Sequence, residues 1–181
     1  MPLTIDIPGK ELFDQKINRF IVTKPTTITL EHSLLSISKW ESKWHKPYFS
    51  REPKSEEEAL DYIRCMCLTP NVDMNVFRVI DPEGAKKITD YIQDPMTATT
   101  IHQRDKKSSR EIITNELIYY WMADFGIPFD PCQKWHINRL FTLIQVASAK
   151  NQPSKKMSRR DMLNERNLLN AQRRAKYKSR G

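Results

Sequence analysis

Four side chains carry the donor chemistry of a zinc site: Cys65 and Cys67, and Cys132 with His136 four residues on and so on one helical face. Their spacing speaks against that use. Structural zinc knuckles place two to four residues between paired cysteines, and one residue separates Cys65 from Cys67. Free cysteines otherwise pack as small hydrophobes, which is the expectation for all three. No metal and no cofactor is expected.

Catalysis would need a nucleophile with a base and an orienting acid, paired carboxylates in apolar surroundings, or a glycine-rich phosphate loop. None of these patterns is written in the sequence. His45 lies between Trp44 and Lys46, and His136 follows Trp135. A helical histidine beside tryptophan reads as a packing or hydrogen-bonding residue rather than a general base. The expectation is a protein that binds and is not an enzyme.

Charge is more informative. The 181-residue chain carries a net +8, but Lys150 to Gly181 alone hold eleven Lys or Arg against Asp161 and Glu165, a net +9 that leaves residues 1–149 at −1. The arm includes Lys155, Lys156, Arg159, Arg160, Arg173 and Arg174, with Met162, Leu163, Leu168 and Leu169 as an apolar seam among them. Such an arm can neutralise phosphates, steer the protein to an acidic partner, or be a solvated helix. The seam favours a protein partner and makes Leu168 and Leu169 candidate contacts.

Trp40, Trp44, Tyr119, Tyr120, Trp121 and Trp135 sit in the near-neutral body at core spacings. Aromatics and positive charge are therefore separated, unlike a stacking platform for single-stranded nucleic acid. Tyr119 and Tyr120 cannot both share the face of Trp121, so one of them is a candidate surface anchor.

The elements that hold these residues follow from periodicity. Alternation in Leu3, Ile5, Ile7 and in Ile28, Leu30, with β-branched residues between, predicts two or three short strands interrupted at Pro8-Gly9 and Lys24-Pro25. From His32 the period becomes helical through Leu34, Ile37, Trp40 and Trp44. Ser55 with Glu58 spells a capping box for the next helix, and Asp81-Pro82 supplies a cap and first-turn proline for the one after a short apolar segment at Met74–Ile80. Asp94 to Ser109 reads as a loop. Ser108 with Glu111 predicts a helix running to Gly126, Asp130-Pro131 a second, and together residues 110–149 read as a helical hairpin at the centre of the core. Ser158 and Asp161 open a last helix to about Lys176.

The predicted architecture is α-rich α+β: a globular domain over residues 1–149, β-rich across 1–31 and a helical bundle across 32–149, then a basic helical arm over 150–181. An odd count of three cysteines fits a reducing compartment. No run approaches ~20 apolar residues, and the start MPLTIDIPGK lacks the order of a secretory signal, so cytoplasm and no membrane contact are expected.

The strings SISKWESKWHKP (36–47), LTPNV (68–72), IYYWM (118–122), IPF (127–129) with CQKWHINRL (132–140), and KKMS (155–158) leading to LNAQRR (169–174) resemble proteins of tailed bacteriophages described as tail assembly chaperones. The resemblance covers most of the chain after Leu30. It implies a non-catalytic protein that binds the tape-measure protein, or other tail proteins, during tail morphogenesis in the cytoplasm of an infected bacterium, with self-association of copies. The alternatives are a structural protein of the virion head, neck or tail, and a nucleic-acid-binding phage protein acting through its basic arm. The resemblance carries no catalytic or ligand residue.

Overall fold

The computed structural model describes residues 2–14, 18–99, 111–151 and 159–177. It is an α-rich α+β structure with a small β element at its N-terminus. The chain divides into two compact units, 1–149 and 150–181.

The first unit opens with four strands, β1 (Leu3–Ile7), β2 (Glu11–Asp14), β3 (Arg19–Val22) and β4 (Thr26–Leu30). They form two antiparallel ladders, β1 with β4 and β2 with β3. Both run at one offset, with Leu3 opposite Leu30 and Glu11 opposite Val22, so they are the base and tip of one long hairpin. Extended at that offset, Pro8 faces Pro25. Neither proline has an N–H to give, and the ladder breaks where they meet. Thr23 bridges the break: its N–H donates to the Lys10 carbonyl (2.9 Å) and its Oγ1 both accepts from Lys10 N–H and donates to the same carbonyl (3.0 Å each). Gly9 is required there, because a Cβ would lie 2.6 Å from the Thr23 carbonyl oxygen. The base is anchored by Ile5, Ile7, Ile28 and Leu30, all buried on one face. The tip is not: Phe13, Phe20 and Val22 are exposed, and Phe13 and Phe20 pack on each other across the strands at 5.0 Å.

Helix α1 (Leu34–Trp44) is the most buried helix, with Leu34, Ile37 and Trp40 essentially sealed from solvent. It stops because His45 turns left-handed (φ 52°) and donates its N–H back to the Glu41 carbonyl. Helix α2 (Glu56–Met66) starts at the expected capping box: Ser55 Oγ accepts from Glu58 N–H (3.2 Å) and Glu58 Oε2 from Ser55 N–H (2.7 Å). It packs along α1, and the two tryptophans of α1 secure it. Trp40 Nε1 donates to the Glu58 carbonyl and Trp44 Nε1 to Asp61 Oδ2, both at 2.9 Å. Burial raises the Asp61 carboxyl, but hydrogen bonds from Lys43 and Trp44 outweigh it and hold the group below the usual range.

Met74–Val79 forms a 3-10 turn, and α3 (Pro82–Gln93) begins at the expected Asp81 cap and first-turn proline. Helix α4 (Asn115–Asp124) corrects the expectation of a start near Ser108, which lies outside the described residues; Ile112 and Ile113 precede it without helical structure. The start is fixed both locally and from a distance. Thr114 Oγ1 accepts from Leu117 N–H, and Glu41 Oε2 accepts from Asn115 N–H at 2.8 Å. Its end is a Schellman cap: Gly126 is left-handed (φ 65°), Ile127 N–H reaches the Met122 carbonyl (2.8 Å) and Gly126 N–H the Ala123 carbonyl (3.1 Å).

The expected hairpin partner also begins later. Phe129–Cys132 is a short turn, α5, and the long helix α6 runs Ile137–Asn151. Helix α4 has α1 and α5 as its main neighbours, so the core centres on α1 rather than on an α4–α6 hairpin. The reason lies in the backbone: Ile137 N–H donates to the His32 carbonyl (2.9 Å) and Leu35 N–H to the Gln133 carbonyl (3.4 Å), which ties the start of α6 to the start of α1.

The second unit carries helix α7 (Arg159–Tyr177). Among its described side chains every one is exposed, including Met162, Leu163, Leu168 and Leu169.

Candidate functional site

The densest cluster of titratable groups is buried between α1, α2, α3 and α6. His32 Nδ1 lies 2.5 Å from the Tyr62 hydroxyl, and Tyr62 in turn hydrogen-bonds Tyr48. The His32 and His136 rings meet edge to face at 5.0 Å, as do Tyr91 and His136. His136 Nε2 donates to the Tyr91 carbonyl (2.9 Å) and its Nδ1 accepts from Asn138 N–H (3.3 Å), an arrangement that fixes the neutral tautomer protonated on Nε2. Burial first, and the neighbouring His136 second, bring His32 down to about 3; burial lowers His136 as well. Burial also lifts Tyr48 to about 12 and Tyr62 well above its ordinary value. At neutral pH these groups are all uncharged and hydrogen-bonded within the core. The cluster is a polar region of that core.

A cavity of about 170 Å³ opens beside His136, lined by Glu31, Tyr91, Lys134, Trp135 and Arg139. Arg139 stacks over Trp135 at 4.1 Å, and burial raises the Glu31 carboxyl. A second, wider groove of about 390 Å³ runs between Val22, Lys24 and Thr26 on the hairpin and Thr69–Val76.

The candidate zinc ligands do not converge. Cys132 is buried, Cys65 and Cys67 are half-buried at the end of α2, and among the described residues no group of three or more His, Cys, Asp or Glu could hold a metal ion. His136 has both ring nitrogens engaged as above. Core packing of these cysteines is what the structure places there: burial raises both the Cys65 and the Cys132 thiol.

The candidate contact residues lie on surfaces. Tyr119 is half-buried, donates to Gln133 Oε1 (3.1 Å) and packs on Phe129 at 5.3 Å. Tyr120 points outward and is 63% exposed, so of the two it is the accessible one. Leu168 and Leu169 are exposed on α7. Arg160, Arg173 and Arg174 are exposed on the same helix, Arg159 is its first residue, and Lys155 and Lys156 lie outside the described residues. Because the chain forms two units, Tyr119 and Tyr120 belong to the body surface and the leucines and arginines to the arm.

Two features were not read from the sequence. The exposed Phe13–Phe20 pair had a signal, since both lie between Pro8 and Pro25, beyond the break in the ladder. The His32 cluster had none, because its members arrive from positions 32, 48, 62, 91 and 136. No helix among the described residues is long and apolar enough to cross a membrane. The chain matches no family model, and neither a curated protein nor a solved structure shows significant similarity to it.

Proposed function

We propose that the chain is a non-catalytic assembly factor of the tail assembly chaperone kind that its sequence resembles, binding the tape-measure protein through exposed apolar side chains. One observation carries this reading: α7 displays Met162, Leu163, Leu168 and Leu169 at 46–63% exposure on a helix that has no core of its own. A helix in water keeps such a seam uncovered only at a cost unless a partner covers it. A long helical partner with apolar stripes is the complementary shape. Co-expression tests the reading. The tape-measure protein should stay soluble and co-purify with this chain, and Leu163→Ser with Leu168→Ser should abolish co-purification; a tape measure that remains insoluble and unbound defeats it.

The exposed arginines of α7 support a second reading, binding of nucleic acid. That reading requires affinity to fall steeply with salt, by about one order of magnitude in the binding constant per tenfold salt for each phosphate neutralised. A salt series on duplex DNA separates the two.

A further inference from the structure

Helix α4 presents an uncovered face of unusual composition. Glu116, Tyr120 and Asp124 are spaced i, i+4, i+8, so they form one line along the helix, and all three are exposed. The opposite side, Asn115, Ile118 and Met122, is buried. Between Glu111 and Asp130 the sequence has four acids, Glu111, Glu116, Asp124 and Asp130, and no Lys or Arg. Asp130 is paired with Lys134 at 2.9 Å, and Glu116 and Asp124 carry the acidic character of the α4 line. Exposed Ile112 and Phe129 flank that line.

Helix α7 has the inverse composition. Arg159–Tyr177 contains six Lys or Arg against Asp161 and Glu165, a net +4. Met162, Arg166, Leu169 and Arg173 fall at i, i+4, i+7 and i+11, so they too share one line, and all four are exposed. The spacings agree. At the helical rise, Glu116 and Asp124 are about 12 Å apart with Tyr120 midway, and Arg166 and Arg173 are about 10 Å apart with Leu169 between them. Two ion pairs can therefore close around one apolar contact, Tyr120 on Leu169.

We infer that the arm of one copy docks through α7 on the α4 face of a second copy of this chain. The inference deepens the reading of the arm as a protein-binding element and rests on it. Charge complementarity selects the occupant: the body as a whole is near neutral, and within it the stretch from Glu111 to Asp130 is purely acidic, while the arm concentrates the chain's basic charge. The contact joins two different patches, so copies either exchange arms in a closed pair or propagate head to tail. The head-to-tail arrangement would set many copies along an elongated partner.

The test uses the purified full chain alone, so its failure is distinct from failure of tape-measure co-expression. Sedimentation velocity at 50 mM salt should show a mass that rises with concentration above the 21.4 kDa monomer and falls back at 500 mM, where exposed ion pairs are screened. Arg166→Glu with Arg173→Glu should be monomeric, and so should Glu116→Lys with Asp124→Lys. An equimolar mixture of the two variants should associate again, because each acidic line then finds a basic one. Circular dichroism checks that the variants keep their helices, and Leu169→Ser, which leaves every charge in place, should weaken association at least fivefold. A wild-type chain that stays monomeric at 50 mM salt, association that survives in either charge-reversed variant, or a mixture that stays monomeric overturns the inference.

Discussion

Acidification should destabilise this protein through His32 before its ion-paired carboxylates titrate. His32 is 2% exposed, its Nδ1 is held by Tyr62, and burial brings its pKa from 6.5 to about 3. The folded state thus binds the proton far less readily than the unfolded chain. With a depressed histidine, stability is complete above the unfolded value of 6.5 and declines as pH falls from there toward 3. The slope is about 1.4 kcal/mol per pH unit, so the loss between pH 7.5 and pH 5.0 from this residue is about 2 kcal/mol. At a urea dependence of about 2 kcal/mol per molar, that is a midpoint shift of roughly 1 M. Other groups are separable. Glu58, Asp61 and Asp130 are held below their usual values, so their contributions are lost only as pH falls below about 4.5, outside the window. Glu31 and Glu41 are raised by burial and act in the opposite sense, gaining protons in the folded state first as pH falls. His136, also lowered, adds to the loss. Comparison with His32→Gln cancels all of these: the variant should lose about 2 kcal/mol less than the wild type between pH 7.5 and 5.0. Urea midpoints that fall in parallel for the two proteins, or an NMR titration placing the His32 imidazole near 6.5, would refute the reasoning.

Glu41→Ala should cost about 2–4 kcal/mol in denaturant unfolding, because it strands the part-buried N–H of Tyr48 and the buried N–H of Asn115 that the carboxylate now accepts at 2.6 and 2.8 Å; a loss below about 0.5 kcal/mol would show that water replaces it. Ser55→Ala should cost about 1 kcal/mol by removing the α2 cap, read as a lowered thermal midpoint. Phe13→Ser with Phe20→Ser should change stability by less than about 1 kcal/mol, since both rings are exposed at the hairpin tip, while reducing dye binding to exposed apolar surface. In the native protein a thiol reagent should leave Cys132 unmodified while reaching Cys65 and Cys67, as their exposures dictate.

How much was legible in the sequence depended on how local the determining contact was. Helices α2 and α3 start where Ser55 with Glu58 and Asp81 with Pro82 say they do, because a cap is satisfied within three residues. Helix α4 does not start at the Ser108 pattern: its local cap is Thr114, and its first N–H, that of Asn115, is taken by Glu41, 74 positions away, which no local pattern records. The same holds for α6: its start is set by the His32 carbonyl, so the Asp130-Pro131 signal marked only a short turn. The proline break in the β element was visible, but its consequence, a single hairpin with a buried base and an exposed tip, needed the pairing register. Of the candidate contacts, the choice between Tyr119 and Tyr120 turned on Gln133 and Phe129, which close over Tyr119 from beyond the α4 turn.

The exposed apolar side chains fall where the core does not need them. The body is closed by Ile28, Leu30, Leu34, Ile37, Trp40, Met66, Ile118, Met122, Ile137 and Leu140, all at 1% exposure or less, and by a polar cluster whose hydrogen bonds are satisfied internally. Phe13 and Phe20 lie beyond the proline break, Tyr120 lies on the outer line of α4, and the leucines of α7 lie in a separate unit. Such residues contribute little to folding, so substitutions there change binding at nearly constant stability, whereas core substitutions such as Leu34→Ala cost about 2–5 kcal/mol. The proposed binding role fits that separation: exposed side chains can be changed in charge and adhesiveness without disturbing the scaffold that holds them.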